Sequence, residues 1–248
     1  VIDSPDIPLN VSRSYLQADG AVKKISAHIT KKVADKMGSL INQNREDYEQ
    51  KWNDIKVVIE YGMVSEDKFY EKSDKFALYP TVDGKYFTWT ELTENIKVNQ
   101  TNKDGKTVVL YATDVDAQDQ YIQIAKEKGY EVILLDSPIS SHLIQKLEGS
   151  KENVTFARVD ADHINNLIEK DEVKISKLSD EDKEKLKTEI TSSIDNKSYT
   201  IQLEDLSASD APFIITQSEF MRRMKDMQAS GGANMFGMGN FPEMYNVV

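Results

Sequence analysis

Three side chains near the start of this 248-residue sequence have the types and spacing of an anion-binding face. Two prolines precede them; proline fixes φ and removes a backbone donor, which predicts a stiff extended loop. Ser12 is a typical N-cap residue, so a helical turn is expected from Arg13 onward. Gln17 then lies one turn further along the same face, with Asn10 on the loop beside them.

A guanidinium fork flanked by two amides suits a cluster of anionic oxygens, above all the terminal phosphate of a nucleotide. A capped surface helix with solvated side chains has the same spacing. Spacing alone favours that simpler alternative.

Composition limits the classes of protein that need to be considered. The chain has 39% hydrophobic and 29% charged residues, a net charge of -11 and no cysteine. A disulfide framework or thiolate metal site is therefore excluded, and nucleic acid is an unsuitable partner because its phosphates require clustered cations. The histidines His28, His142 and His163 show no metal-ligand spacing. We expect no metal site, no membrane partner and a cytoplasmic location.

The first part of the chain has the periodicity of helices. Ile25, Ile29, Val33 and Met37 recur every four residues, which predicts an amphipathic helix over residues 21–42 with this stripe in the core. Gly62 is expected to end a second helix. Further helices are predicted over residues 45–61, 66–75 and 90–96, with a turn at 82–85.

The middle of the chain predicts a parallel sheet. Apolar runs at 107–112, 130–135 and 154–159 alternate with helical patterns at 116–128 and 139–147. This β-α-β-α-β order implies right-handed crossovers and a three-layer subdomain. Such sheets often bind phosphate after their first strand, but the turn here lacks glycine. Its aspartates, Asp114 and Asp116, are expected to cap the following helix rather than to bind phosphate or Mg²⁺.

The last part of the chain predicts a smaller mixed unit. Residues 160–177 have the composition of a linker, and Ser179 is a typical N-cap for a helix reaching residue 194. A strand at 199–203 is expected to pair antiparallel with 211–216. The fold class is therefore α/β, α+β overall: a helical segment, the three-layer subdomain and a partial α+β C-terminal domain. The expected domains are 1–98, 99–168 and 178–248.

A methionine-rich segment follows. Ser218 is expected to cap a helix with an apolar side, and a glycine-dense stretch after it carries further apolar residues. By pattern alone the apolar side packs onto the protein's own sheet. The alternative is an adaptable surface for other proteins, because methionine on a loose support suits varied apolar partners. The candidate residues are Phe220, Met221, Met224, Met227, Met235 and Phe236.

The residues from Asp6 to Gln17 (Asp-Ile-Pro-Leu-Asn-Val-Ser-Arg followed by Leu-Gln) resemble the catalytic loop in the middle domain of the heat shock protein 90 chaperone family, bacterial HtpG type. The resemblance implies that Arg13 reaches the γ-phosphate of ATP held by a separate N-terminal domain, with support from Asn10 and Gln17. It also implies that the methionine-rich helix contacts client proteins. Other stretches resemble the family in the same order: 25–37, 52–62, 106–114 and 218–224.

The resemblance implies an ATP-dependent dimeric clamp that binds and remodels client proteins during stress. We expect this chain to be a fragment without the N-terminal domain that binds ATP and Mg²⁺, and without the C-terminal helices that form the homodimer. Such a fragment should hydrolyse nothing alone. The alternative is a nonenzymatic α/β protein-interaction module without nucleotide coupling.

Overall fold

The computed structural model describes residues 20–171, 178–194, 198–204, 212–223 and 245–248. The chain divides into two compact units, with the break between Leu78 and Tyr79. Within the described ranges, no helix combines the length and the apolar character that crossing a lipid bilayer requires.

The first unit is helical. Its core is built around the buried side chains of Trp52, Met63 and Phe76. Tyr48 is buried beside them and donates its hydroxyl proton to the carbonyl oxygen of Phe76 at 2.9 Å, and its burial raises its pKa. The helices are α1 (Gly20–Gln43), α2 (Arg45–Gln50), α3 (Trp52–Ser65) and α4 (Asp67–Ser73).

Two expectations for this unit are wrong. The stripe predicted for the core of α1 is only partly buried, since Val33 is 45% exposed, whereas Ala34 and Ile41 are buried where α2 and α4 pack on the helix. Gly62 does not end α3, which continues to Ser65. Gly62 lies instead against the ring of Phe69, so its lack of a side chain serves close packing.

The second unit is built on a three-stranded parallel sheet. Its elements are β3 (Thr107–Ala112), α6 (Asp119–Glu127), β4 (Val132–Leu134), α7 (Ser140–Ser150) and β5 (Val154–Arg158). The strand order is β4-β3-β5, and both neighbours run parallel to β3, which confirms the predicted β-α-β-α-β unit. The strand β3 is central and almost wholly buried.

A short hairpin and a helix precede this sheet. The hairpin joins β1 (Tyr79–Pro80) to β2 (Tyr86–Phe87) through a turn in which Gly84 has a φ of 77°, a value that favours glycine. The helix α5 (Trp89–Ile96) begins with a capping box.

The region predicted to be a linker contributes to the core of the parallel sheet. It contains the helix α8 (Ile164–Leu167), and Ile164 and Ile168 are buried in the same cluster as Val108 and Leu110 of β3. The linker prediction is therefore wrong for these residues. The charged residues around Ile164 and Ile168 made these two core positions difficult to recognise from the sequence.

The remaining described elements form a second small sheet beside α9 (Asp180–Ser193), which Ser179 caps as expected. Its strands are β6 (Tyr199–Ile201), β7 (Ile215–Thr216) and β8 (Tyr245–Val247). Their order is β6-β8-β7, so β7 pairs with β8 and not with β6 as predicted. The apolar end of the chain takes the central position, where Val247 and Val248 are buried.

Two helical glycines of the first unit provide a matched test of this packing. A methyl group at Gly38 of α1 would meet no atom within 4 Å, whereas one at Gly62 would lie 2.9 Å from the ring of Phe69. We expect Gly38→Ala to stabilise the chain by about 0.5–1 kcal/mol through helix propensity. Gly62→Ala should destabilise it by about 1–3 kcal/mol because the buried ring must move. Urea unfolding monitored by circular dichroism measures both, and equal effects would contradict the packing.

Candidate functional site

The structure places only two of the residues predicted for function. Phe220 and Met221 lie in a helical stretch at residues 219–223. The others lie outside the described residues: Asn10, Arg13, Gln17, Met224, Met227, Met235 and Phe236. The candidate site is therefore built from residues 215–223, which we call the docked segment, and from the parallel sheet that it contacts.

The docked segment runs along the carboxyl end of the sheet. The hydroxyl of Tyr121, on α6, donates to the carbonyl oxygen of Ile215. The backbone N–H of Gln217 donates to the carbonyl oxygen of Asp160 at 3.2 Å, just after the end of β5. Ser218 then caps the helical stretch, since its hydroxyl oxygen accepts from the N–H of Met221 at 3.4 Å, as the sequence predicted.

Glu219 joins the docked segment to the two strands at the sheet's switch point. Its carboxylate accepts the hydroxyl proton of Tyr111 at 2.7 Å and the backbone N–H of Arg158 at 3.1 Å. Tyr111 and Arg158 are register partners at the carboxyl ends of β3 and β5. Open α/β sheets commonly hold ligands at this place. Here the chain's own carboxylate lies there.

The surroundings of Tyr111, including Glu219, change the pKa of its hydroxyl. Burial and the negative charge of Glu219 both disfavour the tyrosinate, so the pKa of Tyr111 is well above its ordinary value. The hydroxyl therefore remains a donor to the carboxylate throughout the neutral range.

Arg223 provides a second connection, one helical turn beyond Glu219. Its guanidinium donates to Glu219 at 2.7 Å, to Glu148 of α7 at 2.7 Å and to the carbonyl oxygen of Phe156 at 3.1 Å. Burial alone would lower the pKa of Arg223, but the hydrogen bonds to the two carboxylates outweigh burial and raise it. The charge-assisted bonds bring together the docked segment, α7 and β5.

In a third connection, the docked segment supplies the cation, Arg222, and the carboxylate belongs to Asp160 after β5. The carboxylate of Asp160 accepts from the guanidinium of Arg158 at 2.5 and 2.6 Å and from that of Arg222 at 2.5 Å. Arg158 is buried, so this paired geometry also compensates for its removal from water.

The helical stretch is thus amphipathic with its charged side facing the protein. Arg222 and Arg223 turn towards the sheet, whereas Phe220 is 70% exposed and Met221 is partly exposed. In this stretch, only the apolar residues were predicted for function from the sequence. The structure shows that the polar side is the bound side.

The residues that hold this segment were not predicted from the sequence. The i, i+4 spacing of Glu219 and Arg223 was the one local signal for them. No local pattern connects Glu219 with Tyr111, which lies 108 residues earlier, or Arg223 with Glu148, which lies 75 residues earlier.

The turn after β3 does not fit a phosphate group. The side-chain oxygen of Gln118 accepts from the backbone N–H groups of Thr113 and Asp114 at 2.8 and 3.0 Å, so the donors that a phosphate requires are already bound. Asp114 accepts from the N–H of Ala117 at 3.0 Å within the turn before α6. The N-cap of α6 is Gln118, which makes no side-chain capping bond, so the prediction that Asp114 and Asp116 cap this helix is wrong. Among the described residues, no group of three or more His, Asp or Glu side chains could hold a metal ion.

The fold and the docked segment define an α/β protein that displays an apolar helix side rather than one that binds a nucleotide in its sheet. Comparison with known sequences identifies the family. The family described as "Hsp90 protein" matches residues 1–240, and the chain belongs to this family.

Several related proteins match this chain over its whole length. It is 47% identical to "Chaperone protein HtpG" of Bacteroides thetaiotaomicron over 251 residues, which are 100% of this chain and 37% of that protein. It is 45% identical to the HtpG chaperone of Porphyromonas gingivalis over 252 residues, 100% of this chain and 36% of that protein. The HtpG chaperone of Bacteroides fragilis is 45% identical over 251 residues, again 100% and 37%. The chain thus spans little more than a third of the length of these relatives.

The burial of Tyr111, together with its bond to Glu219, should make stability depend on alkaline pH. A tyrosine whose pKa is higher in the folded state stabilises that state below its ordinary pKa of about 10, and this contribution decreases as the pH rises further. We expect Tyr111→Phe to cost about 1.5–3 kcal/mol near neutral pH, because a hydrogen bond to a charged group is lost. The difference from the wild type should shrink towards about pH 11.

Urea unfolding of both proteins at several pH values measures this difference, in which the other titrating groups cancel. Tyr61→Phe is the matched control, since Tyr61 is an exposed tyrosine of α3. A cost for Tyr111→Phe that stays constant with pH would contradict the raised pKa of Tyr111 in the folded state.

Proposed function

We propose that this chain is the middle and C-terminal part of an ATP-dependent chaperone of the Hsp90 family, and that the docked segment begins a surface for non-native client proteins. The observation that carries the client assignment is the exposure of Phe220 on a helical stretch whose charged side is bound to the sheet. The family match and the relatives named as chaperones support the class.

Exposed aromatic and methionine side chains suit this role. A non-native protein presents apolar groups in no fixed arrangement, so its partner must offer apolar area without a rigid complementary shape. Phe220 and Met221 supply such area at the start of the helix. We assign the rest of the surface to the apolar residues that follow in the sequence: Met224, Met227, Met235 and Phe236.

The nucleotide role belongs to the start of the chain. We infer that Arg13 contacts the γ-phosphate of ATP and that Asn10 and Gln17 support it, with ATP and Mg²⁺ bound by another domain of the whole protein. This division of labour is consistent with the turn after β3, where Gln118 already binds the backbone donors. The chain alone is expected to lack ATPase activity.

We further propose the domain limits 1–98, 99–168 and 178–248 for the end of the middle domain, its α/β subdomain and part of the C-terminal domain. The whole protein is proposed to be a homodimeric cytoplasmic clamp. These proposals rest on the family match over residues 1–240.

The client assignment predicts a selective effect of changing Phe220. Because Phe220 is 70% exposed, Phe220→Ser should change the free energy of unfolding by no more than about 0.5 kcal/mol. Binding of reduced, carboxymethylated α-lactalbumin, a permanently unfolded protein, should weaken by roughly three- to tenfold, because apolar contact area is lost. Fluorescence anisotropy of the labelled client measures binding.

The matched control is Val58→Ser, because Val58 of α3 is 73% exposed and lies in the other unit. It should leave client binding unchanged. Equal losses for the two variants would indicate nonspecific apolar attraction and would remove the basis for the client assignment.

The nucleotide assignment is tested in the whole protein. Arg13→Ala should reduce ATP turnover by on the order of tenfold or more, because a charge-assisted contact to the developing charge on the phosphate is lost. ATP affinity should change little, since the nucleotide is bound elsewhere. Arg45→Ala, which removes the ion pair with Glu49 on α2, is the control. Wild-type turnover in Arg13→Ala would favour the interaction module without nucleotide coupling.

A further inference from the structure

The direction in which the described helical residues 219–223 face follows from their contacts with the α/β unit. Side chains at i, i+3 and i+4 share one face of a helix. Glu219, Arg222 and Arg223 have this spacing, and all three bind the α/β unit.

The position of Phe220 follows from this geometry. Successive residues on an α-helix are about 100° apart around its axis, so the residue after Glu219 cannot share the bound face. Phe220 therefore points away from the sheet, in agreement with its exposure, and Met221 beside it is partly exposed.

Glu219 has the central place among the three. Its carboxylate is bound from β3, from β5 and from its own helix, through Tyr111, the N–H of Arg158 and the guanidinium of Arg223. Arg223 retains Glu148 and the carbonyl oxygen of Phe156 as partners if Glu219 is changed, so the loss of Glu219 leaves one connection intact. The predicted effect is loosening of the first turn rather than unfolding.

We propose that Glu219 is a positioning residue, which fastens the first turn of the client-contact helix to the β3–β5 edge and thereby sets the direction in which Phe220 and Met221 are displayed. This proposal rests on the proposed client function. It assigns Glu219 no contact with the client. Its effect on client binding passes through the orientation of its neighbours.

The test measures local motion and client binding separately. The sequence contains no cysteine, so Phe220→Cys introduces a single site for a nitroxide spin label. In the labelled chain, Glu219→Gln removes the negative charge and replaces one carboxylate oxygen with an amide donor. The N–H of Arg158 and the guanidinium of Arg223 bind different oxygens, so one of these two donors loses its acceptor on residue 219. The mobility of the label should increase severalfold at temperatures well below unfolding. In the unlabelled chain, the same change should weaken binding of reduced, carboxymethylated α-lactalbumin by roughly three- to tenfold.

Glu49→Gln is the matched control. Glu49 accepts from Arg45 at 2.7 Å as an i, i+4 pair on α2, the same chemical pair as Glu219 and Arg223, but in the first unit. It should change neither the label's mobility nor client binding. Tyr111→Phe is a second, milder variant, which removes one bond and keeps the Arg223 pair. It should produce smaller changes in the same direction, and it serves as the test if Glu219→Gln does not fold.

The possible outcomes are distinguishable. Unchanged label mobility in a folded Glu219→Gln chain would overturn the positioning role, and so would increased mobility with full client binding. Failure of the wild-type chain to bind the unfolded protein would contradict the proposed function instead, whatever the label reports. The proposal is supported if both variants increase the mobility of the label and weaken client binding, while the control Glu49→Gln changes neither property.

Discussion

The second unit depends on the burial of β3. This strand has a parallel neighbour on each edge, and its residues from Val108 to Ala112 are buried. Because β3 is fixed in this way, the carboxyl ends of β3 and β5 form a stable edge. The buried isoleucines of α8 complete the same core. The contacts of Glu219 with Tyr111 and Arg158 start from strands of this core.

The chemistry of the edge explains why the docked segment is held by charges rather than by apolar packing. The exposed ends of parallel strands offer unpaired N–H groups, and here one of them, at Arg158, is satisfied by Glu219. The arginines that follow find carboxylates on α7 and after β5. The apolar residues between them are left facing solvent because the bound side of the helix is already occupied by charged groups. This inversion makes Phe220 available to a partner.

The same edge also explains the division of labour that we propose. In many open α/β sheets this place binds a phosphate or another anionic ligand. Here the backbone N–H of Thr113 donates to the side-chain oxygen of Gln118, and the hydroxyl of Tyr111 donates to the carboxylate of Glu219. The α/β unit is therefore suited to orienting a neighbouring segment.

Much of the fold could be predicted from local patterns. The apolar runs of β3, β4 and β5 and the periodic segments between them were sufficient for the parallel unit, because strands buried on both faces have continuous apolar sequences. Ser179 and Ser218 were recognisable as caps because capping depends on residues only two or three positions away.

Two predictions about the fold were wrong because they depend on residues in other elements of the structure. The pairing of β7 with β8 instead of β6 depends on a strand near the end of the chain, and the tight packing at Gly62 depends on Phe69 from the next helix.

The sequence by itself determined the family, the α/β class and the candidate residues, since these depend on residue types and short spacings. Only the tertiary structure decided which side of the docked segment is bound. The partners of Glu219 and Arg223 lie 61 to 108 residues away, and an amphipathic pattern shows that a helix has two sides without showing which one the protein covers. Hydrophobicity alone predicts that the apolar side is buried. The carboxylates on α7 and beyond β5 bind the arginines more favourably than water does, and so they reverse that expectation.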